Sequence, residues 1–379
     1  MVNILILNYE FPPVGGGGGA VSRDLAIMLK KKGHTVSVVT MRYGNLPAVE
    51  EKNGIMIYRV RCLRRDVGVC HPYEQLTYLL SAVWFCGKLV KEQKFDICHA
   101  HFIIPTGVAS WYLKKRYHLP YIITAHGSDV EGYNQKRFIF LHKILRPFWE
   151  IIVRQAETVV APSGFLKALM LKSDSRIRYT IIPNGIDLAY YKRLAEAQPK
   201  TKSMIVLCRL QETKGVQDVI RAFASIRHTG WKLNILGDGP YRAELEKIVR
   251  ESHVSGSVIF HGWVKNKSRE YEKLLGESYL YLSGSRFENC PMSVLEAAGA
   301  GCRLLISDIP AHRMLIEEKD IFFPCGSVKK LAERMAEMVG EYADVQQEKY
   351  DMDKYDWDRV CESYEKILKT DAGHRGKIG

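Results

Sequence analysis

The sequence predicts an α/β protein built from two doubly wound domains. Three observations carry that prediction. At 379 residues the chain is too long for one ordinary core. Short β-branched runs alternate with helix-length segments, the pattern of βαβ units around a parallel sheet. The alternation breaks once, at Pro183-Asn184-Gly185-Ile186-Asp187, and then restarts. Hydrophobic residues at 46% and charged residues at 26% give a soluble globular composition, which excludes a disordered, collagenous or repeat-built chain.

Taken in order, Val2–Asn8 reads as a buried strand, Ala20–Gly33 as a helix and Thr35–Thr40 as the next strand. Asp96–His99, Tyr121–Ala125 and Thr158–Ala161 are short apolar runs, each followed by turn residues or a helical pattern. Residues 189–203 are polar and Lys-rich, so a linker is expected near 185–203. The second series runs Met204–Cys208 (strand), Gly215–His228 (helix), Lys232–Leu236 (strand) and Tyr241–His253 (helix). Ser257–Phe260, Tyr279–Ser283 and Arg303–Ile306 follow as strands. The expected domains are 1–188 joined by 355–379, and 200–354. Ligands of such sheets bind beyond the carboxyl ends of the strands, so two domains facing each other place the expected site in the cleft between them.

Charge narrows the partners. The net charge is +13, of which +11 falls on residues 1–190. A basic half beside a near-neutral half fits an anionic partner, whether phosphate, nucleic acid or lipid head groups, and fits a merely solvated basic surface equally well. The nine cysteines include no C-x-x-C pair, so reduced core thiols are expected and a cysteine metal site is not. The N-terminal apolar run is too short for a signal segment. Leu76–Val90, the longest apolar stretch, is interrupted by Lys88 and is shorter than the ~20 residues a spanning helix needs. A cytoplasmic protein able to lie on a membrane is the expectation. Residues 138–153 and the clusters at Lys30–Lys32, Arg59–Arg65, Lys114–Arg116, Lys136-Arg137 and Lys143-x-x-Arg146 are the candidate membrane contacts, with a core helix and solvated edge as the alternative.

The residues suited to chemistry lie at strand ends. Gly15–Gly19 precedes a helix, where backbone amides without side chains suit a phosphate, and a mobile ligand-closing loop is expected there, with Gly16 and Gly17 against the ligand. The run fits a dinucleotide fingerprint only superficially. Glu10-Phe11-Pro12-Pro13 intervenes after the strand, and the second strand ends without an acidic residue. His99, His101 and His126 follow strands and suit a sugar hydroxyl or phosphate, although each is also compatible with a structural role. His126 is favoured because Gly127 lets backbone approach a ligand.

In the second half, Arg209 follows a strand and Lys214-Gly215 opens a helix, setting two cations at a helix N-terminus suited to pyrophosphate. Gly237-Asp238-Gly239-Pro240 marks another strand-to-helix turn. Glu288 and Glu296 stand eight residues apart around the start of an Ala-rich helix, with the amides of Cys290, Met292 and Ser293 between them. Ser293-x-x-Glu296 also fits a capping box.

In this order, these motifs resemble the GT-B glycosyltransferases of the large retaining group called family 4. The matching pieces are the glycine-rich first loop, His126-Gly127-x-Asp129, Pro183–Asp187, Arg209 with Lys214-Gly215, Gly237-x-Gly239-Pro240, Glu288-x7-Glu296, and Trp357-x-x-Val360 with Tyr364 in a last helix that crosses back to the first domain. The resemblance implies that Arg209 and Lys214 neutralise a donor diphosphate and that Glu296 holds the ribose. Glu288, with the 290–293 amides, meets the donor sugar, and Gly262-Trp263-Val264 faces the base. His126 positions the transferred sugar. It implies a nucleotide-sugar donor, UDP-linked before GDP-linked, no cofactor, no metal and no nucleic-acid partner, while the basic clusters and the 138–153 segment are the ground for expecting a lipid-linked or envelope-glycan acceptor. Asp351-x-Asp353 and Asp356-x-Asp358 lie in the approach to the last helix rather than after a strand, which disfavours the metal-dependent GT-A type. A nucleotide-sugar 2-epimerase or a phosphorylase on the same fold, the latter expected to be much longer, and a basic nucleic-acid-binding protein are the alternatives. The last of these lacks a zinc, helix-turn-helix or RNA-platform signature.

Overall fold

A computed structural model describes residues 1–133, 139–227, 229–342 and 350–373. It divides into two compact units, Met1–Gly185 with Trp357–Gly379, and Ile186–Asp356. Lys136, Arg137, Phe138 and the Lys143 side chain, parts of the expected membrane segment, lie outside the described residues, as does His228 at the end of an expected helix.

The first unit runs β1 (Asn3–Leu7), α1 (Gly17–Lys31), β2 (Thr35–Met41), β3 (Val49–Lys52), β4 (Ile55–Val60), α2 (Pro72–Glu92), β5 (Ile97–His101), α3 (Thr106–Tyr117), β6 (Tyr121–Thr124), α4 (Ile139–Gln155), β7 (Val159–Ala161), α5 (Gly164–Ser173) and β8 (Tyr179–Ile181). Its eight-stranded sheet has the order β3-β4-β2-β1-β5-β6-β7-β8, parallel except for the β3–β4 pair. The chain leaves β1 toward β2 and returns on its other side at β5. The switch point, where such sheets bind ligands, therefore lies beyond the ends of β1 and β5. Ile4, Leu5, Ile6 and Leu7 are fully buried, as expected of a strand covered on both faces.

The second unit runs α6 (Leu188–Ala197), β9 (Thr201–Leu207), α7 (Val216–Phe223), β10 (Lys232–Leu236), α8 (Arg242–Glu251), β11 (Val258–Gly262), α9 (Arg269–Glu277), β12 (Ser278–Ser283), α10 (Met292–Gly299), β13 (Arg303–Asp308), α11 (Pro310–Leu315), β14 (Phe322–Pro324) and α12 (Val328–Gly340). Its six parallel strands are ordered β11-β10-β9-β12-β13-β14, so the switch point falls between β9 and β12. A last helix, α13 (Trp357–Gly373), belongs to the first unit and packs on α1 and β5. Glu365 on α13 pairs with His34 Nε2 at 2.8 Å. Both sheets carry the Rossmann-like α/β architecture expected from the alternating pattern.

Two expectations are corrected. The polar stretch 189–203 is not a bare linker: α6 occupies most of it, capped by Asp187, whose carboxylate accepts from Tyr190 N at 3.1 Å. Leu188, Tyr191, Leu194 and Ala195 form its buried stripe, hidden in the sequence among lysines and arginines. The glycine run is not wholly a loop either. Gly17–Gly19 form the first turn of α1, while Gly15 N donates to Val67 O at 2.8 Å and Gly16 N to Glu10 Oε2 at 3.2 Å. Glycine is required at Gly18 because a β-carbon there would press on Phe102 and His126.

Candidate active site

Each unit gathers polar side chains at its own switch point. In the first, β5 ends on His99 and His101, both fully buried, and β6 leads into His126. His101 Nδ1 and His126 Nε2 share a hydrogen bond of 3.0 Å, and the His126 ring lies 4.5 Å from that of Phe102. His99 Nε2 bonds Thr124 Oγ1 at 2.8 Å, which in turn meets Tyr364 Oη of α13 at 3.0 Å. Asp129 fixes the loop: it accepts from the amides of His126 (3.1 Å) and Gly127 (2.9 Å) through one oxygen and from Ile103 N (2.7 Å) through the other. His126 is thus held by its backbone and its ring.

Burial sets the charge of this cluster. Desolvation lowers the pKa of His99 and of His126 to about 3, and that of His101 well below the usual imidazole value, with the neighbouring rings adding to the effect on His99 and His101. All three are neutral at physiological pH. Neutral imidazoles can donate and accept hydrogen bonds, which suits hydroxyl groups better than anions. A cavity reached through Asp129 of the His126 loop is lined by Tyr9, Pro72, Gln75, Ile104 and Trp149, with Glu131 and Arg146 also on its wall, and its exposed surface is mainly apolar. Gly16 and Gly17 face open space, where added β-carbons would touch nothing within 4 Å.

The second unit is built on charge. The turn Glu212–Lys214 is clasped to the loop after β12. Arg286 N donates to Thr213 O at 2.9 Å, and the Arg286 guanidinium reaches Asp218 at 3.0 Å. Gly215 is left-handed at φ +66°, and a β-carbon there would collide with the Gly284 carbonyl. This clasp brings Lys214 Nζ to 2.6 Å from Glu288 Oε1, which also accepts from Ser285 Oγ at 2.8 Å. Burial alone would lower the Lys214 pKa and raise that of Glu288. Their pairing outweighs it in both, raising the lysine and lowering the glutamate, so the pair is ionised. Arg209 stands two residues beyond β9, partly buried. The α7 N-terminus adds the positive end of its dipole beside Lys214.

Glu296 is not a helix cap. The helix α10 begins after Pro291 without a side-chain cap, and Ser293 Oγ instead accepts from Tyr281 Oη at 2.9 Å. The Glu296 carboxylate accepts from Tyr271 Oη at 2.7 Å and from Asn266 Nδ2 at 3.3 Å. Between the glutamates, Cys290 is buried while Met292 and Ser293 are half-buried. Val264 packs on the hydrophobic cluster that includes Cys290, whereas Trp263 is 75% exposed. Gly237, at φ +134°, has no room for a β-carbon beside the Cys208 carbonyl, so its glycine is accounted for by chain packing.

Sequence reasoning missed Tyr271, Asn266, Ser285 and the buried His312, whose Nδ1 lies 2.7 Å from Ser307 O. Ser307 Oγ donates to Ser285 O at 2.5 Å, supporting the loop that carries Glu288. Only Ser285, three residues before Glu288, lay close enough in sequence to be found. Among the described residues no cluster of histidine, cysteine and carboxylate groups is arranged to hold a metal ion.

Comparison with known proteins agrees with this architecture. Residues 15–190 match the family described as Glycosyltransferase Family 4, and residues 191–354 match Glycosyl transferases group 1. The chain belongs to the GT-B glycosyltransferases of the family 4 type and is by class a hexosyltransferase. It is 24% identical over 326 residues to N-acetyl-alpha-D-glucosaminyl L-malate synthase of Bacillus anthracis, covering 83% of this chain and 81% of that one. It is 23% identical over 333 residues to alpha-monoglucosyldiacylglycerol synthase of Streptococcus pneumoniae, covering 83% and 73%. Among solved structures, Anabaena HepE in complex with UDP superposes with a TM-score of 0.75 at 16% identity, covering 97% of this chain and all of that one. HepE has also been solved with UDP-glucose.

Proposed function

We propose that the enzyme transfers a hexosyl unit from a nucleotide-diphosphate sugar, UDP-linked in preference to GDP-linked, to a lipid-linked or envelope-glycan acceptor, with retention of configuration and without a metal. The observation that carries this reading is the ionised Lys214–Glu288 pair at the second unit's switch point. Departure of a nucleoside diphosphate places negative charge where a cation and a helix N-terminus must receive it. Lys214, with Arg209, meets that need without a divalent ion, and Glu288 preorganises the ammonium before substrate arrives.

Glu296, oriented by Tyr271 and Asn266, has a carboxylate suited to ribose hydroxyls. Glu288 and the 290–293 amides take the donor sugar, Val264 borders the base, Gly237 shapes the adjoining turn, and the open backbone of Gly16 and Gly17 meets the diphosphate or acceptor. His126 supplies a neutral polar contact to the transferred sugar. In the reaction the C1–O bond to the diphosphate breaks, the acceptor oxygen bonds C1 on the same face, and the acceptor proton leaves with the phosphate oxygen. No protein nucleophile is assigned.

Two similarities support the donor and acceptor classes: HepE was solved with UDP and UDP-glucose, and the pneumococcal relative is named for a glucosyl lipid. We place the enzyme on the cytoplasmic face of the membrane as a peripheral protein. Among the described residues no helix is long and apolar enough to cross a bilayer.

A thermal-shift screen tests the donor, since a ligand that binds the folded state raises its melting temperature. UDP and UDP-hexoses are expected to stabilise the protein more than GDP analogues, with and without EDTA. Stabilisation by GDP-sugars alone, or its loss on chelation, would overturn the donor or the metal assignment.

A further inference from the structure

The helix α2 turns an apolar face to solvent. Glu74, Tyr78, Ala82, Cys86 and Leu89 form its buried stripe. The opposite stripe repeats every three or four residues through Tyr73, Leu76, Leu80 and Trp84, and continues as Lys88 and Lys91. Leu76 is 56%, Leu80 65% and Trp84 64% exposed. The segment before the helix widens the patch. Leu63 N donates to Thr77 Oγ1 at 3.0 Å, and Ser81 Oγ donates to Arg61 O at 2.6 Å, which lays Leu63, itself 57% exposed, alongside the stripe. Solvated helices rarely present four bulky apolar side chains in line, and a contiguous patch of this kind marks a contact surface.

Charge identifies the occupant. Arg61, Arg65, Lys88 and Lys91 rim the patch, all exposed, and none is in an ion pair among the described residues. Residues 75–91 contain no carboxylate. The Lys88 ammonium stands 3.7 Å over the Trp84 ring, and the Arg65 guanidinium 5.7 Å from the Tyr73 ring. Tryptophan and tyrosine beside cations belong at a lipid–water boundary, where rings reach the acyl edge and ammonium groups meet phosphates. A second copy of the chain would bring the same four cations together. The helix α4, which holds the described part of the expected interfacial segment, differs. Trp149, Ile152 and Val153 are buried, and Arg146 and Arg154 are already paired with Glu150.

We propose that the outward face of α2, with Leu63, is the surface by which the enzyme lies on an anionic bilayer. The assignment rests on the reading of the acceptor as membrane-borne and adds how the enzyme meets it. Pro72 and Gln75 of the same helix line the apolar cavity beside Asp129, so a docked α2 holds the edge of that cavity at the head-group layer.

Flotation of the full chain with vesicles of phosphatidylcholine, with and without phosphatidylglycerol, tests the proposal, with UDP binding measured in parallel. The wild type is expected to float only with anionic vesicles, less as salt rises. Leu80→Glu with Trp84→Glu is expected to lower partitioning at least about tenfold, with melting temperature and UDP affinity unchanged. Phe148→Glu on α4 is expected to float like the wild type. If the wild type ignores anionic vesicles, the membrane-borne acceptor falls together with this surface, while the nucleotide reading stands on its own UDP titration. If the wild type and the α2 double variant float equally, the surface lies elsewhere. A wild-type dimer in sedimentation that the double variant dissolves would assign the face to self-association and overturn the proposal.

Discussion

The two halves of the molecule solve different problems at equivalent places in the same kind of sheet. Beyond β5 and β6 the first unit gathers His99, His101 and His126, all uncharged, with a cavity of mainly apolar surface reached through Asp129. Beyond β9 and β12 the second holds the ionised Lys214–Glu288 pair, Arg209 and a helix N-terminus. The difference shows that sheet topology selects where a site forms, while burial and pairing select its charge. Histidines buried without a carboxylate partner lose their protons. A lysine buried against a carboxylate keeps its own.

The sharpest way to break this comparison is acid. Each of the three histidines has a folded pKa below its unfolded value near 6.5, so the unfolded chain binds more protons as pH falls below that value. Stability is therefore expected to decline from about pH 6.5 downward, by about 1.4 kcal/mol per pH unit for each histidine that stays neutral in the fold. Glu288, with its lowered pKa, adds stability present above the unfolded carboxylate range and lost as pH falls through its folded value, a separate and lower window. Denaturant titrations at several pH values check this. Stability that is flat between pH 6.5 and 5 would mean that the histidines are charged in the fold.

Next in size is the loss of a cation. Lys214→Ala or Arg209→Ala is expected to reduce turnover at least about a hundredfold, the scale of removing one electrostatic donor to developing charge. Steady-state assay of nucleotide release measures it. Near-normal turnover in both folded variants would remove them from the site.

Much of this was legible in the sequence because β-branched runs, glycines and charged residues at strand ends are local signals. The strands β1, β2 and β9–β13 stood close to their expected bounds. What was hidden depended on distant residues or on weak periodicity. The antiparallel edge β3 reads Val-Glu-Glu-Lys and has little apolar character. The buried stripe of α6 was masked by its polar face. The partners of Glu296 come from the loop before α9 and from α9 itself, 30 and 25 residues away in sequence. Ser293-x-x-Glu296 had the spacing of a capping box, yet Tyr281 and Tyr271 claim the two side chains.

A smaller effect sharpens the division within the second unit. Tyr271→Phe removes one hydrogen bond that orients Glu296, and about a three- to tenfold loss of UDP affinity is expected, the worth of roughly one such bond. The same substitution is expected to leave turnover at saturating donor nearly unchanged. A large fall in turnover with unchanged affinity would place Glu296 at the sugar rather than the ribose.

Calorimetric titration of UDP into Glu296→Gln and His126→Asn, beside the wild type, tests the central claim most directly. If the second unit is the nucleotide half and the first holds sugar and acceptor, Glu296→Gln binds UDP at least about tenfold more weakly, the worth of a hydrogen bond to a charged group, while His126→Asn binds it as the wild type does. Weakened binding in His126→Asn with full affinity in Glu296→Gln would contradict that division.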